Sequence, residues 1–548
     1  MKDIFAQLSE FVRRTWIILL VIAVVIVAGI ASIETYKEEV LEIDPDVELT
    51  ESKTLYFVSE EIDTLNPIIS QSEDTYYISK MIYNSLFDYN VNMNVVKELV
   101  DEYTVNTDEG KISIELRTDV KWHDGEKLTA SDVKFTVDAI KYAGKKSVYY
   151  DKVSVINYVT VTGDSSLEIV FKKKTDAALD NLTFPIVSSS SFASVSEAAK
   201  EEDSKPVGTG QYAYKSYNYL KELKLKPNED YFGTVSKKSI TISIVPDRTL
   251  AEELEQIDSV SCYIDESSER KLNAEDKELT LYDIPSNSVE MLVFNTKNEH
   301  VKEAAVRKAI AHCVDLEKVL ENGYMGDGIL TDTIYYPNFM GSTETGTYYT
   351  FDQTAAKTLL KGVGYEDRDS NGVIENEDLD EVRLVMVVNK NNATRLAAAR
   401  LIEDQLEDAG FKITLKELSW DDYEDAIKKK EFDILVTGYS FNEQYDLRFL
   451  FNGKNDWKYK NEDLLEKVSQ LEELHTTKEY SEIFSEVKAM LMDELPYYSL
   501  CYKQIGLVGG KYFEAEELPM FNDIYRNSNT WTWKYEKHEE TDETKDNQ

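Results

Sequence analysis

The chain has 548 residues, too many for one compact core, and so should divide into two or more lobes. Its 103 acidic residues outweigh 61 basic ones to give a net charge of −42, which argues strongly against nucleic acid as a partner, because phosphate binding needs a basic face. Hydrophobic residues at 42% and aromatics at 11% place most of the chain among ordinary globular proteins.

From Trp16 to Ile33 the sequence is apolar apart from Ser32 and small residues, just long enough to span a bilayer. Arg13 and Arg14 precede this stretch, and Glu34, Glu38, Glu39, Glu42, Asp44 and Asp46 follow it. The charge asymmetry puts residues 1–14 in the cytoplasm and exports everything beyond residue 33. Residues 15–33 are therefore read as an uncleaved signal anchor, the competing reading being a signal peptide cleaved near Gly29-Ile30-Ala31. An acidic linker at 34–50 and a polar tail at 537–548 flank the working part.

Leu55–Val58 reads as a strand, Thr64-Leu65-Asn66-Pro67 as a turn, and Tyr76, Ile78, Ile82 and Leu86 as one face of a helix over 76–86. Ile112, Ile114 and Leu116 alternate with polar residues, a half-buried strand that ends at an Asp124-Gly125 turn. A helix starts at Thr129 with Asp132 as its capping-box partner, and Val133, Val137 and Ile140 share its apolar face. Strands follow over Val153–Val161 and Leu167–Phe171, and Ser188 to Ser191 reads as a polar loop. The Gly208-Thr209-Gly210 turn lacks the third glycine, the following lysine and the preceding strand of a phosphate loop. Val289–Phe294 is a buried strand run, and Val306, Ala309, Ile310, Cys313 and Val314 form a helical stripe. Helices over Ala355–Leu360 and Leu396–Ala409 alternate with strands over Leu384–Val388 and Phe432–Thr437, the pattern of an α/β lobe.

No catalytic constellation is present: no nucleophile elbow, no paired zinc histidines, no cysteine with a companion histidine. The chain is accordingly read as a non-enzyme. A secreted peptidase is the minority alternative, tested by hydrolysis of peptides. Cys262, Cys313 and Cys501 are scattered and odd in number, which gives neither a disulfide framework nor a zinc site. The segment Asp367 to Asp378 has the spacing of a calcium loop, with Asp367, Asp369, Asn371, the Val373 carbonyl, Glu375 and Asp378 as donors and Gly372 at the turn. Calcium is weighed there against an ordinary Asp-rich surface turn, with no cofactor required for function.

The run from Ile114 to Ile140, containing Val120-Lys-Trp-His-Asp-Gly125 and Leu128-Thr-Ala-Ser-Asp-Val133, resembles the signature of the extracellular solute-binding proteins of family 5. The Val207-Gly-Thr-Gly-Gln-Tyr212 turn is similar to that family's VGTGPY, with Gln211 for Pro. The resemblance implies a two-lobed α/β periplasmic-binding-protein-like fold of type II with an inserted third subdomain, preceded here by one N-terminal transmembrane helix. It places lobe I at 51–90, 206–290 and 505–536, the insert at 91–205 and lobe II at 291–504. It also implies a monomeric receptor that takes peptides and delivers them to an ABC permease and ATPase at the membrane. Relatives with other cargo (nickel chelates, sugars) and a peptide sensor without transport stay open as alternatives. Gram-positive relatives usually carry a lipidated cysteine near the N-terminus, which this chain lacks. By resemblance Asp446 would hold the peptide amine, although Leu447 replaces the family's proline, and a local pair with Arg448 is the competing reading. Tyr439, Asn442, Tyr445 and Trp420 are expected to line the ligand, with a core position as the alternative for Trp420.

Overall fold

The computed structural model describes residues 49–536 apart from 175–177, 201–204, 248–249, 256–258, 332, 340–348, 443–444 and 472–476. The expected signal anchor and the polar tail lie outside the described residues, as does the acidic linker up to residue 48. Among the described residues no helix is long and apolar enough to cross a membrane. Two units are present: Ser52–Trp533, and a small one made of both chain ends. In the small unit Leu49, Thr50 and Glu51 pair antiparallel with Glu536, Tyr535 and Lys534.

In chain order the elements that matter for the site are β1 (Thr54–Ser59), α1 (Glu73–Ile82), β2 (Val100–Asn106), β3 (Lys111–Leu116), α2 (Ala130–Ala143), β4 (Ile156–Val161), β5 (Ser166–Phe171), β6 (Tyr212–Asn218), β7 (Glu222–Pro227), β8 (Ser239–Ile244), β9 (Cys262–Asp265), β10 (Thr280–Phe294), α3 (Ala304–Cys313), β11 (Arg383–Asn389), α4 (Ala393–Asp408), β12 (Lys412–Leu418), α5 (Trp420–Lys429), β13 (Ile434–Ser440) and β14 (Tyr497–Gly509). Three sheets carry them. The first has the order β1-β8-β7-β6, with β1 and β8 parallel, and its inward positions Leu55, Phe57, Leu223, Leu225, Ile240 and Ile242 are buried. The second, β2-β3-β5-β4, is an antiparallel sheet, and Val133, Val137 and Ile140 of α2 are fully buried. The third runs β9-β14-β10-β13-β11-β12, antiparallel from β9 to β13 and parallel from β13 to β12. The stripe Val306, Ala309, Ile310 and Cys313 of α3, with Val314 beyond it, packs into the same core as Leu384, Met386 and Val388 of β11. Cys262, Cys313 and Cys501 are free and buried.

The Trp-His-Asp-Gly segment is a structural lock. His123 donates its backbone N–H to the Gly208 carbonyl at 2.9 Å, and its Nδ1 accepts the Gly208 N–H at 3.2 Å. Nδ1 accepts, so Nε2 carries the proton and donates to the Gly210 carbonyl at 3.0 Å. Burial pushes this imidazole below its ordinary value. The glycine turn in turn caps α1, because Gly210 N–H donates to the Ile82 carbonyl at 2.8 Å. A Cβ on Gly208 would sit 1.8 Å from that carbonyl oxygen, and one on Gly210 would sit 2.4 Å from the Met81 oxygen. This backbone-on-backbone approach explains the two glycines. Asp132 caps α2 by accepting the Thr129 N–H at 2.9 Å, and its other oxygen accepts the Ser189 N–H at 2.9 Å and hydroxyl at 2.7 Å. The serine run is thereby tied to the start of α2.

Three elements depart from the sequence expectations. The helix expected over 76–86 starts at Glu73, capped by Ser72, and stops at Ile82, where the glycine turn meets its last carbonyls. The stretch expected as strand from Val153 begins as a short helix, Tyr150–Ser154, before β4. The strand expected over Val289–Phe294 is the end of a much longer one, β10, whose earlier part carries Asp283, Pro285 and Ser286 and so breaks the apolar pattern.

Candidate ligand site

β10 and β14 are the longest strands of the third sheet, at 15 and 13 residues. Their pairing runs Thr280↔Gly509 to Pro285↔Gln504, then resumes at Val289↔Tyr502. Ser286, Asn287 and Ser288 thus face Lys503 alone, an irregularity that bends the ribbon and interrupts the ladder. The bulge is strapped to the end of β13: Phe441 N–H donates to the Asn287 carbonyl at 2.9 Å, Asn287 Nδ2 donates to the Phe441 carbonyl at 2.5 Å, and the Ser288 and Ser440 hydroxyls are 2.7 Å apart.

A cavity of about 160 Å³ opens over this bulge. Ser286, Asn287, Ser288, Lys503, Gln504 and Ile505 form its floor. Glu73 and Tyr77 come from α1, Ile264 and Glu266 from β9 and its end, and Phe521 and Ile524 from the C-terminal segment. The Tyr77 hydroxyl lies 3.0 Å from Glu73 Oε1 and 3.1 Å from the Phe521 carbonyl. Glu73 and Glu266 are exposed and Lys503 is half-buried, so the cavity offers two carboxylates and one ammonium in a lining rich in hydroxyls and amides. Such a set complements a small molecule that carries both an amine and a carboxylate.

Next to the bulge lies a buried ion pair. Glu290 accepts from Arg395 of α4 at 2.7 and 2.8 Å and from the Tyr324 hydroxyl at 3.3 Å. Hydrogen bonding and charge from Glu290 outweigh burial and raise the Arg395 guanidinium above its ordinary value. Gly438 makes room for the pair, since a Cβ there would meet Arg395 Nη2 at 2.3 Å.

The segment expected to hold the ligand divides in two. Tyr439 stacks on Phe449 at 4.9 Å, and Phe441 stacks on Tyr445 at 5.1 Å. Tyr445 is buried, with φ +51°, and packs against Tyr336, Phe339 and Phe521 at 5.7, 5.6 and 6.3 Å. Phe521 also lines the cavity, so Tyr445 backs its wall rather than facing its space. Asn442 is exposed, and its carbonyl accepts the Tyr445 N–H at 3.2 Å. Both oxygens of Asp446 are taken by Arg448, at 2.8 and 2.7 Å, and one also accepts the Arg448 N–H at 2.9 Å. The expected amine anchor is therefore already engaged. Trp420 is neither in the cavity lining nor in the core: it opens α5, is 54% exposed, and stacks on Tyr423 at 5.9 Å. Glu73, Glu266 and Lys503 were not expected. The signal for Lys503 was a single charged residue within the largely apolar 497–509 run.

In the Asp-rich loop, carboxylate oxygens of Asp367, Asp369 and Glu375 converge within 4.8 Å. Asn371 N–H donates to Asp367 and Asp369 at 3.1 and 3.0 Å, and the Asn371 side-chain oxygen accepts the Val373 N–H at 2.7 Å. Asn371 is turned towards the loop's own backbone, and Asp378 stands outside the converging group. Three of the four expected carboxylates gather, and the chain continues into β11 rather than a second helix.

The model of the bacterial extracellular solute-binding proteins, family 5 (middle), matches residues 94–459. The oligopeptide-binding protein AppA of Bacillus subtilis is 23% identical over 494 residues, covering 85% of this chain and 89% of that protein. The dipeptide-binding protein of Escherichia coli is 25% identical over 418 residues, covering 71% and 76%. Among solved structures, the periplasmic murein tripeptide-binding protein MppA in its unliganded open form superposes with a TM-score of 0.72 at 16% identity, over 90% of this chain and 99% of that one. A nickel ABC transporter protein of Bacillus halodurans gives 0.73 at 14% identity, over 88% and 100%. These superpositions show a mixed α/β periplasmic-binding-protein-like fold. With its Trp-His-Asp-Gly lock, its bulged strand pair and a family match across two thirds of its length, this chain belongs to the family 5 bacterial extracellular solute-binding proteins.

Proposed function

We propose that the chain is a membrane-tethered extracytoplasmic receptor that captures peptides as a monomer and passes them to an ABC permease. The observation that carries this reading is the cavity over the β10–β14 bulge, where Glu73 and Glu266 stand with Lys503 among hydroxyl and amide groups. Peptides present an ammonium and a carboxylate together with backbone donors and acceptors, and this lining answers all three. The names of the oligopeptide- and dipeptide-binding relatives agree with it.

Nickel chelates are the second cargo, favoured by the likeness to the Bacillus halodurans protein. Against a metal bound by protein ligands, the described cavity lining contains no histidine or cysteine. His123 is committed to the glycine turn, and His312 Nδ1 lies 2.8 Å from the Thr350 carbonyl. Calorimetric titration with a tripeptide, its N-acetyl form and nickel–histidine separates the readings: heat with the free tripeptide alone supports peptides, and heat with nickel–histidine alone overturns them. Uptake of labelled peptide by cells with and without the chain separates an importer from a sensor.

A further inference from the structure

Outside the cavity lining, charged side chains from distant stretches of chain form one buried to half-buried cluster. Lys80 comes from α1, and Asp88 and Glu98 from the paired strands Phe87–Tyr89 and Val95–Lys97 and the residue after them. Lys152 comes from the short Tyr150–Ser154 helix, Asp180 from the Leu179–Leu182 turn, and Asp523 and Arg526 from the C-terminal segment. Asp88 is the hub: its two oxygens meet Lys80 Nζ at 3.2 Å and Arg526 Nη1 at 3.0 Å. Arg526 also donates to the Tyr89 carbonyl at 2.7 Å, and the Tyr89 hydroxyl donates to Asp180 at 2.9 Å. Lys152 donates to the Thr183 hydroxyl at 2.7 Å. Glu98 has no cation at ion-pair distance among the described residues, and accepts instead from the Asn84 amide at 2.6 Å and the Ser85 N–H at 2.7 Å.

We infer that this cluster is a proton switch: Glu98 takes up one proton, and that proton fastens the joint between α1, the strand pair and the C-terminal segment. The charge count carries the inference. Four carboxylates (Asp88, Glu98, Asp180 and Asp523) stand against three cations (Lys80, Lys152 and Arg526), and the charges acting on each are others of this set. Fully ionised, the cluster holds one uncompensated negative charge away from bulk water, which is costly, and a neutral Glu98 removes it.

The surroundings select Glu98. Against the cost of burial, the charges of Asp88 and Asp523 hold Lys80 and Arg526 above their ordinary values, and these two cations hold Asp88 below its own. Burial, with the charge of Asp88, pushes Glu98 up to about 7. Burial also raises Asp180, and it pushes Asp523 up to about 6, so that this carboxylate follows at lower pH. The phenols of Tyr89, Tyr149 and Tyr231 are pushed up by burial and stay neutral. The joint bears on the ligand site whichever cargo it takes. Glu73 and Tyr77 of α1 line the cavity, as do Phe521 and Ile524 on either side of Asp523. Ionisation of Glu98 therefore loosens two elements that frame the cavity.

The test is urea unfolding of the full chain, wild type and Glu98→Gln, from about pH 5 to about pH 8. Glu98 is raised above its ordinary value, so its stabilising contribution is whole at low pH and is lost as pH rises through about 7. Gln is neutral throughout. The ratio of wild-type to variant unfolding constants should therefore grow by roughly tenfold or more across the range. Lys152, pushed down to about 8 by burial and by Lys80, titrates in both proteins, as does Asp523, and both cancel in the ratio. Hydrogen exchange should place the wild type's loss of protection in residues 84–98 and 521–526. A ratio that stays constant over the range overturns the inference, and so does protection lost only elsewhere in the chain. Infrared spectroscopy of the wild type tests it without a variant: the carbonyl stretch of a protonated carboxyl should persist at about pH 6.5 and vanish above about pH 8, and its absence at the lower pH overturns the switch.

Discussion

Gly208→Ala probes the lock that joins the family signature to the rest of the fold. The new Cβ would lie 1.8 Å from the Ile82 oxygen and 2.6 Å from its carbonyl carbon. Both are backbone atoms, so no side-chain rotation relieves the clash. Either the end of α1 moves or the 208–210 turn lifts away from it. Overpacking of this kind costs about 1–3 kcal/mol. Lifting the turn also endangers the hydrogen bonds from Gly208 N–H to His123 Nδ1, from His123 N–H to the Gly208 carbonyl and from Gly210 N–H to the Ile82 carbonyl. Each contributes about 0.5–1.5 kcal/mol. The total expected loss is therefore on the order of 3 kcal/mol. Urea denaturation followed by tryptophan fluorescence measures it as a lower midpoint at unchanged slope. A loss below about 0.5 kcal/mol, the level of an ordinary surface substitution, would refute the lock.

Three further outcomes follow from the same geometry. His123 is held neutral with its value depressed in the folded state, so its stabilising contribution is complete above the unfolded value and is lost as pH falls through the folded one. The stability gap between wild type and His123→Ala should be widest at about pH 7.5 and narrow towards about pH 5; a gap independent of pH sinks the tautomer assignment. Asp446→Asn breaks a partly exposed pair with Arg448 and should cost under about 1 kcal/mol without changing any preference for a free peptide amine; loss of that preference would restore Asp446 as the amine anchor. Adding calcium to chelated protein should raise the melting temperature if Asp367, Asp369 and Glu375 hold the ion, and an unchanged temperature makes the loop an ordinary Asp-rich turn.

Local patterns made much of the fold legible. Alternation gave β3, and the five-residue stripe gave α3, because each element buries one face against a single layer. The limits of α1 were not legible, since its end is imposed by a glycine turn more than a hundred residues away in sequence. Nor was the length of β10, whose first half is held by pairing with β14 and not by its own apolar content. The site was harder still. Resemblance led to the 437–448 segment, and the structure puts Tyr445 behind the cavity wall and ties Asp446 to Arg448. Glu73, Glu266 and Lys503 meet from three distant stretches of chain, and no spacing in the sequence announces such a meeting.

The central claim, that this chain captures peptides, is tested most directly by native mass spectrometry of the protein purified from its own host without refolding. The account predicts a bound population whose added mass, on release, resolves into short peptides with free termini, displaced by an added free tripeptide and not by its N-acetylated form. Cargo that resolves into a metal chelate or a sugar, or a protein that takes up no peptide when challenged, would contradict it.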